Sequence, residues 1–304
     1  MSLRIVLPAA RLCLLGFSLA APGQPSPVAM KTEALPPDGG EVGKAYVEFA
    51  SAVDAGDPAR IARFVDPALA DKGPAFLQAF GKLVPRKPIG GRRQGDRATL
   101  FLQTAEGKGG GSYQLWNATL TPAGWHFDGP EDAVSFGIPD PGLDCKGETK
   151  FPCATSTAPD SIVSGGVVLN KYDTFVFKKA PAFRLLDGFA VRNVDEDSKA
   201  LKSTTIFLSS TGIMPGMLTR EVDDPNSVRY KLTTGLLRLD VAADGKSGHV
   251  EFWDHGSRKQ GDVSAGLSID TADGKRIRGA LKADIEDMAK IDVVFDLGTA
   301  SVSY

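Results

Sequence analysis

Apolar residues in the first half of the chain recur at helical spacing and then switch to alternation. Val42, Ala45, Tyr46, Phe49 and Val53 lie three or four residues apart, which puts them on one face of a helix that Gly56 ends. Asp57 followed by Pro58 supplies a side-chain cap and a first helical position that needs no donor. A second helix is therefore predicted to bury Ile61, Phe64 and Val65. A third segment, 74–84, carries Phe76, Leu77, Phe80 and Leu83. After it the period becomes two, with Ala98, Leu100 and Leu102 alternating with Thr99, Phe101 and Gln103 in a strand. A glycine-rich tip at 107–111 leads back into Tyr113, Leu115 and Asn117, and Ala123-Gly124 turns the chain into Trp125, His126 and Phe127.

Beyond residue 160 strand signals dominate. Segments 162–169, 174–177, 183–194 and 204–208 are rich in β-branched and aromatic residues and are bounded by Gly, Pro, Asp or Asn. Two hairpins follow: 230–241 turns through Ala243-Asp244-Gly245 into 249–254, and 263–270 turns through Asp273-Gly274 into 276–285. The chain ends on a stretch at 291–302, with at most a helical turn near 215–222. Eight or nine short strands at this spacing predict an all-β antiparallel sandwich or barrel over 161–304.

The amino terminus changes the picture by setting a compartment. Arg4 and Arg11 precede an apolar run at 12–20, and Ser18 and Ala20 are the small residues a signal peptidase accepts, so residues 1–20 read as a cleavable signal peptide. The run is too short to span a bilayer, which takes about 20 residues of helix. Cys13 does not make a lipoprotein signal, because Arg11 and Leu12 stand where small residues are needed. Residues 21–40, with Pro22, Pro25, Pro27, Pro36 and Pro37, read as a disordered tether. The domain layout is then 41–129, a Pro/Gly connector at 130–160, and 161–304. In an oxidising compartment Cys145 and Cys153, which close a short loop in that connector, are expected to form a disulfide; two thiolates supply only half a zinc shell.

Cleavage leaves 33 basic against 37 acidic residues. That balance gives no basic footprint for nucleic acid or an anionic membrane surface.

The order of elements in 41–129, with AGDPARIARF after the first helix, the strand GDRATLFLQ and a closing GWHFDG, resembles the NTF2-like superfamily. The resemblance implies an α+β fold: a cone of three helices on a curved antiparallel sheet, ahead of the all-β domain. Enzymes of that superfamily work from an acid or histidine facing into the cone. His126 alternates with Trp125 and Phe127, so it faces away from them and has no paired acid. The later run of hairpins resembles uncharacterised exported bacterial β-domains, with no motif that names a family.

Among chemical candidates, HVEFWDH at 249–255 places His249, Glu251 and His255 on one face of a strand, and two histidines with a carboxylate are the ligand set of open iron or zinc sites. In a straight strand His249 and His255 stand about 20 Å apart, so a metal needs a bend near Gly256 or a ligand from a neighbouring strand. Arg86, Lys87, Arg92 and Arg93, with Arg97, form a basic cluster for an anionic ligand or a solvated loop. No G-x-S-x-G elbow and no Ser three residues before a Lys occurs, and 107–111 lacks the phosphate-loop spacing. No catalytic residue and no cofactor is expected. The sequence reading is an exported protein that binds a small ligand or an envelope partner without catalysis. The alternative is an enzyme using the cone cavity or a metal at His249 and Glu251.

Overall fold

The computed structural model describes residues 30–71, 73–74, 87–103, 112–130, 136–137, 160–170, 182–213, 218–220, 228–230, 235–254, 257–272, 274–286 and 288–303. The expected signal peptide, Arg86, Cys145, Cys153, His255 and nearly all of 74–84 lie outside these residues.

The described residues open with strand β1 (Met30–Leu35), inside the segment read as a tether, followed by helix α1 (Gly40–Asp54). Of the predicted face of α1, Val42, Tyr46 and Phe49 are buried and Ala45 and Val53 partly so, with Ala50 and Ala52 buried beside them, and Glu41 in the first turn suits the positive end of the helix dipole. A single turn α2 (Pro58–Ile61) follows, with Asp57 Oδ1 accepting from the amides of Ala59 and Arg60 at 3.1 Å. It passes into a 3-10 turn (Ala62–Phe64) and another single turn, α3 (Pro67–Ala70). Four strands cross under α1: β2 (Lys87–Gln94), β3 (Arg97–Gln103), β4 (Ser112–Thr121) and β5 (Gly124–Pro130). Tyr46 sets its ring edge-on to Trp116 at 5.5 Å and Phe127 at 5.2 Å, which makes an aromatic core between α1 and this part of the sheet.

The regular elements among the remaining described residues are all strands: β6 (Phe136–Gly137), β7 (Ser161–Leu169), β8 (Ala182–Arg184), β9 (Asp187–Val194), β10 (Leu201–Ser209), β11 (Leu218–Arg220), β12 (Val228–Tyr230), β13 (Leu236–Ala242), β14 (Gly248–Asp254), β15 (Ser257–Val263), β16 (Leu267–Ala272), β17 (Arg276–Ile285) and β18 (Ala289–Ser303). All but β11 and β12 belong to one 16-stranded sheet. Its main path runs β15-β14-β13-β10-β9-β18-β7-β1-β2-β3-β4-β5, with β17 and β16 branching from β18. The branch arises because β18 changes partner along its length. Residues 289–296 pair antiparallel with β7, residues 299–303 pair parallel with β9, and its other edge carries β17. One face of β7, β9, β10, β13 and β14 meets β16–β18 in a second core of Val167, Ile206, Leu239, Phe252 and Phe295.

Two expectations are corrected here. The three-helix cone is absent: among the described residues there is one helix of 15 residues, and the Asp57-Pro58 start leads to a single turn that tightens into the 3-10 turn and stops at extended Val65 before Asp66-Pro67. The separate cone and sandwich or barrel also give way to one continuous sheet, joined by β1 and β18. Periodicity locates strands but carries no information on which strands, far apart in the chain, lie side by side. No helix among the described residues is long and apolar enough to cross a membrane.

Candidate functional site

Two polar arrangements stand out in this sheet. The first lies where the two cores meet. Arg92 on β2 is 2% exposed and Asp187 on β9 is fully buried, and they form a bidentate pair with Nε–Oδ2 2.8 Å and Nη2–Oδ1 2.9 Å. Asp187 also accepts from Ser161 Oγ at 2.5 Å and from the amides of Gly188 and Ile213 at 2.9 and 2.8 Å. Five donors therefore compensate the cost of taking the carboxylate out of water. Thr99 Oγ1 accepts from the Gly212 amide and donates to Asn117 Oδ1, both at 2.8 Å. Gly212 is glycine for lack of room: a Cβ there would stand 2.7 Å from Arg92 Cβ. The cleft beside this seam offers about 10 Å³, room for about one water. With its valences used and no space for a substrate, the seam joins the two cores.

The second arrangement is open. Register places Thr205, Asp240, His249 and Asp262 directly opposite one another across β10, β13, β14 and β15. Asn193 Nδ2 donates to Ser203 Oγ at 2.9 Å and Thr205 Oγ1 at 3.2 Å, Thr205 Oγ1 donates to Asp240 Oδ1 at 2.7 Å, and Arg238 Nη2 reaches Asp240 Oδ2 at 2.9 Å. His249 Nδ1 lies 2.7 Å from Asp262 Oδ1. That contact favours a proton on Nδ1, leaving Nε2 as an acceptor in the neutral ring. A cleft of about 430 Å³ is lined by Asp240, His249, Asp262 and the serines 203, 247 and 264, and by no Lys or Arg.

The sequence-derived candidates separate in space. His249 and Glu251 share a face of β14 but have different partners: Glu251 lies 3.3 Å from Arg258 and 3.9 Å from Arg238. His255, the third ligand considered, and the Cys145–Cys153 pair lie outside the described residues, and no group of three metal-capable side chains gathers among those described. Of the basic cluster, Lys87 is exposed at the start of β2, Arg92 is buried against Asp187, and Arg93 leaves the opposite face. There Arg93 donates to the Gly95 carbonyl at 2.9 Å and lies 5.2 Å from the Trp125 ring. These cations do not converge. His126 faces away from buried Trp125 and Phe127, with Nε2 3.4 Å from Thr121 Oγ1.

The sequence reading missed Asp262, Asp240 and Asp187. A signal for Asp262 was present: taking His255-Gly256 as a two-residue hairpin loop pairs 254 with 257, and hence 249 with 262. Asp187 had none, because its partner lies 95 residues away.

No family of known proteins matches this chain, nor does any curated protein or solved structure, so the resemblance to the NTF2-like superfamily over 41–129 is withdrawn together with the cone it implied.

Proposed function

We propose that this is an exported binding protein that holds a small, donor-rich polar ligand in the His249–Asp262 cleft without catalysis. The observation that carries the reading is the cleft itself. Its volume lies within the range of about 300–1,000 Å³ of small-molecule sites, and Asp240, His249, Asp262 and three serines line it beside Val241, Ala242 and Val263, without Lys or Arg. Such a lining accepts hydrogen bonds and disfavours anions. The amino-terminal pattern of residues 1–20 supports export.

The test uses the chain from residue 21 onward. Thermal unfolding is followed against amines, polyols and inorganic phosphate, in the wild type and in His249→Ala. A saturable rise in Tm with an amine or a polyol, lost in His249→Ala, is expected. No response to any of them, or a response that survives the substitution, overturns the assignment of the cleft. Amino-terminal sequencing of the product recovered outside the cytoplasm checks cleavage after Ala20.

One observation favours the enzyme reading as a second. With Asp262 at Nδ1, Nε2 of His249 is presented as a general base or as a metal ligand. Stoichiometric metal in the purified protein, or turnover of a compound that binds the cleft, selects this reading over the first.

A further inference from the structure

The main-chain link between the two cores runs through one six-residue strand at β7-β1-β2. β1 divides its length between its neighbours: Met30, Lys31 and Thr32 face Val163, Ile162 and Ser161 of β7, while Glu33, Ala34 and Leu35 face Arg93, Arg92 and Gly91 of β2. Of its six side chains only Thr32 and Leu35 are buried. Pro36 and Pro37 follow at once and donate no amide, so the ladder cannot extend past Leu35. A strand with short ladders and little apolar burial belongs to the part of a structure that opens first.

We propose that the space between β2 and β7 is a strand-receiving groove, that β1 is its resident but dissociable occupant, and that an extended peptide of the same pattern enters when β1 withdraws. Strand addition draws affinity from main-chain hydrogen bonds and specificity from alternate side chains. The groove reads three positions. Lys31 Nζ lies 2.6 Å from Asp160 Oδ2, the Thr32 hydroxyl donates to the Leu186 carbonyl at 2.5 Å, and Leu35 enters the aromatic core's cluster.

Two features make withdrawal reversible. Gln94 Nε2 donates to the Met30 carbonyl and Thr32 Oγ1, both at 3.2 Å, but also reaches the Leu186 carbonyl at 2.9 Å and the Val163 carbonyl at 3.4 Å. Those last two belong to the groove, so this buried amide keeps partners with β1 gone. Although the Arg92 main chain pairs with Ala34, its side-chain bonds to Asp187 join β2 to β9 directly, so the two cores stay docked while the strand exchanges. Occupancy of the groove then sets whether the two parts of the sheet are coupled through their main chains.

The test keeps every residue in place. A protease site inserted between Pro36 and Pro37 is cut after folding, and a labelled peptide MKTEAL is added. Saturable entry is expected, at least tenfold weaker when the peptide carries Thr32→Val and lost when the peptide is scrambled. In the uncut protein, amides 30–35 are expected to exchange hydrogen at least a hundredfold faster than 187–194. Equal entry of the scrambled peptide, no entry into a cut protein that melts like the uncut one, or protection of 30–35 equal to that of β9 overturns the proposal. If cutting unfolds the protein, the exchange rates in the uncut chain decide.

Discussion

Arg92–Asp187 and His249–Asp262 are contacts of nearly equal length, 2.8 and 2.7 Å, made by side chains of the same sheet. Their surroundings give them opposite capacities. At the seam both partners are enclosed and the carboxylate receives five donors, so removing one group strands the other in a medium that cannot solvate it. On the outer row Asp262 is 91% exposed and water replaces anything lost. The seam is therefore where stability is sensitive, and the row is where a ligand finds unused hydrogen-bonding capacity.

The largest effect should come from Arg92→Ala, which leaves Asp187 buried and uncompensated and is expected to cost about 3–5 kcal/mol in urea unfolding. Arg92→Met combined with Asp187→Leu should cost less than the two single changes added together, because no charge remains to be stranded. A loss near zero for Arg92→Ala removes the contrast between the two sites.

Next is Thr99→Val, which keeps the shape of the side chain but takes the acceptor from the Gly212 amide. About 1–3 kcal/mol should be lost.

Asp296 tests the range between the two extremes, being 14% exposed with Arg276 and Arg278 against it at 2.7 and 2.8 Å. Burial alone raises its pKa, but the hydrogen bonds from Arg278 and Arg276 outweigh this and hold it below the ordinary carboxylate value. The folded state thus binds this proton more weakly than the unfolded one. Its stabilisation is present above about pH 4 and disappears as pH falls through the lowered folded value. The urea midpoint of the wild type should drop more steeply below about pH 4 than that of Asp296→Asn; parallel curves would falsify this.

The smallest stability effect should be that of Asp262→Asn, under about 1 kcal/mol, as for exposed pairs generally. Its ligand response in the cleft should nevertheless fall, which separates binding from folding at that position.

Local chemistry was legible in the sequence, and distant pairing was not. Asp57-Pro58 announced its cap, the buried face of α1 followed from its spacing, and Ala243-Asp244-Gly245 is a turn in which Lys246 N donates to Asp244 Oδ1 and Gly245 takes φ 69°. β2 was hidden because KPIGGRRQ looks like a polar loop. Yet Gly91 is needed there, since a Cβ would stand 2.4 Å from the Thr99 carbonyl, and its arginines point to opposite sides of the sheet. β15, SRKQGDV, lacks an apolar alternation for the same reason, and with it went the carboxylate that faces His249. The candidate site was therefore half visible: the histidine could be named, but its partner required a register.

The partner change along β18 has a kinetic consequence. Its final residues, 299–303, lie beside 190–194, so that ladder closes a loop of more than a hundred residues. Pairings of such sequence separation form slowly, because the entropy of closing the loop is spent before the contacts repay it. For a chain that must cross a membrane before folding, as proposed, that delay is useful. The local hairpins can form before it, and the joining of β7 to β9 through β18 comes last.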